Sequence, residues 1–147
     1  MTDPRRPGIL DLLGRYADAV LRADASRFAP LWEDDAEWVI PGTSTIVGRD
    51  AIVDTFVRVR AGFPLCVQEV LSGYLDEAVV DDEASAHWQV RELQWRPDRP
   101  GSQLIGVYHD DVRASRGRWR FARRRFEVVY RGPADLSGRV FVAAPGA

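Results

Sequence analysis

Apolar positions follow a helical period as far as Arg60 and a period of two beyond it. Ile9, Leu12, Leu13, Tyr16, Val20 and Ala23 fall on one side of a first amphipathic helix of about four turns. Asp24 interrupts it and can cap a short second helix, Ala25 to Trp32, whose apolar side carries Phe28, Leu31 and Trp32. Pro30 must shorten or distort that helix, because proline offers no N–H and its ring clashes with the preceding turn. Ala36 to Ile40 reads as a short strand closed by Pro41-Gly42, and Gly48 to Arg60 as a third helix with Ile52, Phe56 and Val59 on its inner face. Strands are then expected at Leu65 to Tyr74, Ala84 to Trp95, Leu104 to Val112 and Arg118 to Val129, with a short terminal strand at Arg139 to Ala143. Asp81-Asp82 supplies one turn, Arg96 to Gly101 a longer polar connection, and Ala114-Ser115-Arg116-Gly117 a tight turn in which Gly117 can take a positive φ. Helices followed by a meander of long strands predict one α+β domain over residues 1–147, loose over 1–8, with an antiparallel sheet curling over about three helices.

The strand phases nominate side chains. Gly106, Tyr108, Asp110 and Val112 share one face, and Ile105, Val107, His109 and Asp111 the other. A carboxylate on an otherwise apolar face is costly unless it is paired, hydrogen-bonded or lining a pocket. Asp110 is therefore read in two ways, as the partner of an arginine on the next strand or as a proton acceptor in a cavity. Glu92 shares the phase of Trp88 and Val90 and is expected near the rim of any cavity. His87 and His109 have side chains suited to proton transfer at neutral pH, yet both alternate away from the inner face, which reads as a surface or dimer-interface position. Trp38, Phe56, Phe63, Trp88 and Tyr108 are core residues that could also line a site for an apolar ligand. Cys66 reads as a buried apolar residue rather than a nucleophile.

Composition narrows the classes. All 20 of the Lys+Arg positions are arginine, so a lysine base or Schiff base is excluded. A net charge of -2 argues against a nucleic-acid partner, although Arg116 to Arg125 is locally basic, since alternation divides those arginines between two faces. A single cysteine excludes an internal disulfide, and two histidines without a Cys or His cluster argue against a structural zinc site. No apolar run reaches the ~20 residues of a membrane span, and MTDPRRPGIL lacks the apolar core of a signal peptide, so a cytoplasmic address without a membrane partner is expected.

Taken in order, ILDLLGRYADAVLRAD, FAPLWEDDAEWVIPG, VGRDAIVDTF, GVYHDDV and GRWRFARR resemble the SnoaL-like branch of the nuclear transport factor 2-like superfamily over roughly residues 9–142. The resemblance implies a cone-shaped α+β fold enclosing an apolar cavity, often in a homodimer. It also implies proton-transfer chemistry on a hydrophobic small molecule, without metal or organic cofactor: dehydration, isomerisation, cyclisation or elimination, as in polyketide cyclases, dehydratases, ketosteroid-isomerase-like enzymes and the hexachlorocyclohexane dehydrochlorinase. Residue by residue, Tyr16 matches the first-helix cavity tyrosine, Asp24 the aspartate of the dehydrochlorinase-like pattern, Asp110 the aspartate of the G-x-Y-x-D strand, and Arg124 a cavity arginine. The chain departs from the pattern at Leu21, Ala19 and Gln68, which stand where a dehydratase aspartate, a lysine and the catalytic histidine would be. The resemblance thus offers Asp110 or Asp24 as proton acceptor, with Tyr16 and Arg124 polarising the substrate and Trp38, Phe56, Gln68, Trp88, Glu92 and Tyr108 around it. The plainer reading of Asp24 is a helix cap. The losses at Leu21 and Gln68 keep a non-catalytic binding protein for an apolar molecule open as the alternative.

Overall fold

A computed structural model of the protein describes residues 2–135 and 138–141. Helix α1 (Arg6–Arg22) begins ahead of the periodic stretch because Pro7 suits a first turn, where its missing N–H is not needed. It closes at Ala23, whose φ of 53° lets its N–H reach the Val20 carbonyl (3.2 Å) while Asp24 reaches that of Ala19 (3.0 Å). The second helix is shorter than expected. Helix α2 is Ala25–Phe28, and Pro30 turns the next three residues, Ala29–Leu31, into a single 3-10 turn. Trp32 is thereby freed from the helix and opens strand β1 (Trp32–Val39).

A two-residue strand, β2 (Ile46–Val47), was not legible in the pattern, and Gly48 then leads into α3 (Arg49–Arg60). Ile52 and Phe56 are buried, whereas Val59, expected on the same face, stays half exposed at the helix end. Four long strands complete the chain: β3 (Leu65–Leu75), β4 (Glu83–Arg96), β5 (Arg99–Ser115) and β6 (Arg118–Pro133), followed by β7 (Arg139–Val140). The expected polar connection at Arg96 to Gly101 is instead a tight turn, because β4 and β5 remain paired out to Arg96 and Arg99. Of the expected terminal strand, Phe141 follows β7 and residues 142 and 143 lie outside the described residues. The β5–β6 turn holds Arg116 at φ 53° and Gly117 at φ 74°, the paired positive values of a twisted two-residue hairpin.

The strands pair in the order β2-β1-β6-β5-β4-β3, with β7 added to β6. The α+β class is as expected, and the sheet corrects one detail: β1 runs parallel to β6, so it is mixed rather than antiparallel. Its inner face packs on the helices through an aromatic cluster in which Phe28 stacks on Phe56 at 3.9 Å and Tyr16, Trp32, Trp38 and Phe121 meet at 5.2–6.3 Å. At Gly106, beside a register shift between β5 and β6, an added Cβ would lie 2.0 Å from the Glu127 carbonyl oxygen. No helix among the described residues is long and apolar enough to cross a membrane.

Candidate active site

Alternation on the inner sheet face brings a line of polar side chains together. Cys66 pairs with Gln94 and Gln68 with Glu92 across β3 and β4, and Gln94 and Glu92 pair in turn with Ser102 and Leu104 on β5. All six border a pocket of about 370 Å³. Tyr16 and Val20 of α1, Phe56, Val59 and Arg60 of α3, and Phe63 border it on the helical side, while Trp38, Ile40, Tyr108, Phe126 and Arg131 complete it. One wall is thus polar, and the rest is aliphatic and aromatic apart from the guanidinium groups of Arg60 and Arg131.

Glu92 is the carboxylate of this pocket. Its Oε2 accepts a 2.6 Å hydrogen bond from the Gln68 amide and its Oε1 another of 2.6 Å from Gln94. The Cys66 thiol lies beside it on the same pocket wall. Two neutral donors therefore fix its orientation, yet each carboxylate oxygen has a further lone pair to offer. Gln68 also donates to the Tyr108 hydroxyl at 3.0 Å, and the Tyr16 ring meets that of Tyr108 edge-on with centres 6.1 Å apart. Burial pushes the Tyr108 phenol up to about 12 and the Tyr16 phenol well above its usual range, so both stay protonated donors at neutral pH. Burial likewise raises the Cys66 thiol, with the Glu92 charge adding to it, and no nucleophilic thiolate forms.

Asp110 and Arg124 lie together outside the pocket wall. Arg124 donates from Nε to Oδ1 at 2.9 Å and from Nη2 to Oδ2 at 3.2 Å, and both side chains are 1% exposed. The guanidinium also lies 3.5 Å from the centre of the Tyr108 ring, 4.2 Å from that of Tyr16 and 4.3 Å from that of Phe121. Burial pushes the Asp110 carboxyl up to about 6 while the guanidinium pulls it down. The neighbouring-strand arginine is thus the partner that the first reading of Asp110 required. Asp24 lies at the N-terminus of α2, where its side chain accepts from the Arg27 N–H at 3.1 Å and from the Ser26 hydroxyl at 2.6 Å, and these bonds hold its carboxyl below the usual range. Trp88 is buried outside the pocket. Of the residues picked from the sequence, Tyr16, Trp38, Phe56, Gln68, Glu92 and Tyr108 line the pocket; Asp24, Trp88, Asp110 and Arg124 do not.

Other contributors carried weaker signals. Gln94 and Cys66 follow from the phase of Glu92 and Gln68, two residues away in each strand. Nothing local marks Arg60, whose Nε donates to the Val20 carbonyl at 2.7 Å and Nη2 to that of Leu21 at 3.1 Å, while Nη1 binds that of Phe63. At Leu21, where the family pattern suggested an aspartate, the side chain is exposed, and it is Val20 that borders the pocket. Among the described residues no group of three or more His, Cys, Asp or Glu side chains is arranged to hold a metal ion.

The SnoaL-like domain model matches residues 5–125. The chain belongs to the SnoaL-like family. Two curated relatives from Sphingobium indicum, gamma-hexachlorocyclohexane dehydrochlorinase and hexachlorocyclohexane dehydrochlorinase 2, are each 31% identical over 143 residues, spanning 96% of this chain and 89% of theirs. Among solved structures this SnoaL-like chain is similar to LinA, with 28% identity, a TM-score of 0.80 and coverage of 95% of this chain and 94% of that one. It is also similar to the hexachlorocyclohexane dehydrochlorinase LinA-type3 from Novosphingobium barchaimii, with 25% identity, a TM-score of 0.78 and the same coverage.

Proposed function

We propose that this SnoaL-like protein is a cofactor-free lyase or isomerase that moves a proton on a hydrophobic small molecule in this pocket, with Glu92 as the proton acceptor. The observation that carries the reading is the Glu92 carboxylate, oriented by Gln68 and Gln94 in a mainly apolar pocket and joined through Gln68 to the Tyr108 hydroxyl. In an elimination, Glu92 takes the proton from carbon, the C–H electrons form the double bond, and the leaving group departs with its bonding pair. The neutral hydroxyls of Tyr108 and Tyr16 donate to the oxygen or halide on which negative charge grows. The buried Asp110–Arg124 pair holds those two rings from behind rather than touching substrate. Asp24, occupied as a cap, is given no chemical step. The names of the Sphingobium relatives support elimination as the reaction class, and the apolar lining supports a hydrophobic substrate. A homodimer is part of this proposal and is checked by light scattering.

Gamma-hexachlorocyclohexane is the first compound to test, by chloride release, followed by β-hydroxy ketones scored for loss of water. We expect turnover by the unaltered protein and a loss of about 10²–10⁴-fold in kcat for Glu92→Gln with the fold retained. Equal turnover by the two proteins would overturn the assignment. Gln68, standing where the family resemblance implies a catalytic histidine, favours one second reading, a non-catalytic binding protein. Tight binding of such compounds with no chemical change over hours would select it.

A further inference from the structure

On the sheet face opposite the pocket, His87 of β4 and His109 of β5 are directly opposed in the register. Their Nδ1 atoms are 2.8 Å apart. Each ring's other nitrogen meets a carboxylate: His87 Nε2 lies 3.0 Å from Asp76 Oδ2, and His109 Nε2 lies 2.8 Å from Glu127 Oε1. The Tyr74 ring covers His87 with ring centres 4.8 Å apart. The two side chains are 20% and 12% exposed, enclosed but open to solvent on one side.

The proton count of this chain of four follows from its contacts. Each carboxylate can accept only if its imidazole carries the proton on Nε2, and an Nδ1-to-Nδ1 contact needs one proton between two lone pairs. The contacts thus direct one Nε2–H of each ring at a carboxylate and leave room for one proton between the two Nδ1 atoms. The same arrangement turns the two Nδ1 atoms toward each other, and a metal-bound histidine characteristically donates its remaining N–H to a carboxylate in this way. Arg125 lies opposite His109 in the register of β6.

We propose that His87 and His109 form a two-imidazole site for a divalent first-row transition ion such as Zn²⁺, which takes the place of the shared proton. Charge balances at the exchange: the bridging proton leaves to water, the ion bonds to two neutral imidazoles, and two positive charges face the two carboxylates. With Zn–N bonds of about 2.0–2.1 Å and a tetrahedral angle, the nitrogens stand about 3.3 Å apart with the ion off the line between them, so the rings part by roughly half an ångström and each turns by roughly 35°. Two protein ligands leave the remaining positions to water or to a group brought by the medium. The site is distinct from the proposed catalytic pocket and cross-links β4 to β5 behind it.

Calorimetric titration with Zn²⁺ in two buffers of different protonation enthalpy tests this. One ion per chain is expected, with one proton released. His87→Gln and His109→Gln should each abolish binding with unchanged circular dichroism in the absence of metal. Asp76→Asn and Glu127→Gln, which keep both ligands, should weaken it about tenfold or more. The site is refuted by no binding at millimolar Zn²⁺, by binding that survives either histidine substitution, or by binding without proton release.

Discussion

At the scale of single residues, the inner face of the sheet sorts its charged groups by whether they have a partner. Asp110 meets a bidentate guanidinium and is shut away from solvent with it, whereas Glu92, on the neighbouring strand at the pocket, meets only neutral donors. Both carboxylates were placed on the inner face by alternation alone. Their different surroundings were not, because a partner such as Arg124 comes from another strand whose register no local pattern reveals. The tyrosines give a prediction with a definite sign. A phenol whose proton is held more tightly in the folded chain contributes stability that is complete below its ordinary value and is lost as pH rises through the folded one. With Tyr108 raised from 10.0 to about 12, the urea midpoint should fall between pH 10 and 12, and Tyr108→Phe should flatten that part of the curve. An unchanged slope would show that the phenol is more exposed than its burial implies.

Among the elements, α2 tests the division between architecture and chemistry. Its four residues are held at one end by Asp24 and at the other by the 3-10 turn that Pro30 imposes. Asparagine caps a helix as well as aspartate does but cannot accept a proton from substrate. Asp24→Asn should therefore leave both melting temperature and turnover unchanged, while Asp24→Ala should lower the melting temperature with turnover per folded molecule intact. A loss of turnover in Asp24→Asn would return the chemical role to this residue. The long strands were legible because their alternation is strict and their turns carry Gly or Asp. The short strand β2 was not, because two residues hold too little pattern to distinguish from a loop, and Trp32 was misread because apolar residues at the end of a helix and the start of a strand look alike.

For the whole molecule, Arg60 shows how the pocket is closed. From the end of α3 it binds the carbonyls of Val20 and Leu21 at the end of α1 and that of Phe63 before β3, joining three segments at the pocket's helical side. Arg60→Ala should cost about 3 kcal/mol or more in chemical denaturation, since three carbonyls lose a charged donor, and should weaken any pocket ligand as well. Arg60→Lys should recover only part of it, because an ammonium cannot span three acceptors set that far apart. A loss below about 1 kcal/mol for Arg60→Ala would mean that water replaces the guanidinium at no cost.

Element type, strand phase, the inward direction of Tyr16, Tyr108, Glu92 and Asp110, and membership of the SnoaL-like family were all readable from the chain, because each depends on spacing between near neighbours or on ordered similarity along it. The parallel pairing of β1 with β6, the separation of Asp110 and Arg124 from the pocket, the convergence of Gln68, Gln94 and Cys66 on Glu92, and the meeting of His87 with His109 were decided only by the fold. Each rests on the register between strands and on which side chains the close packing leaves facing one another, and those are relations between residues far apart in sequence.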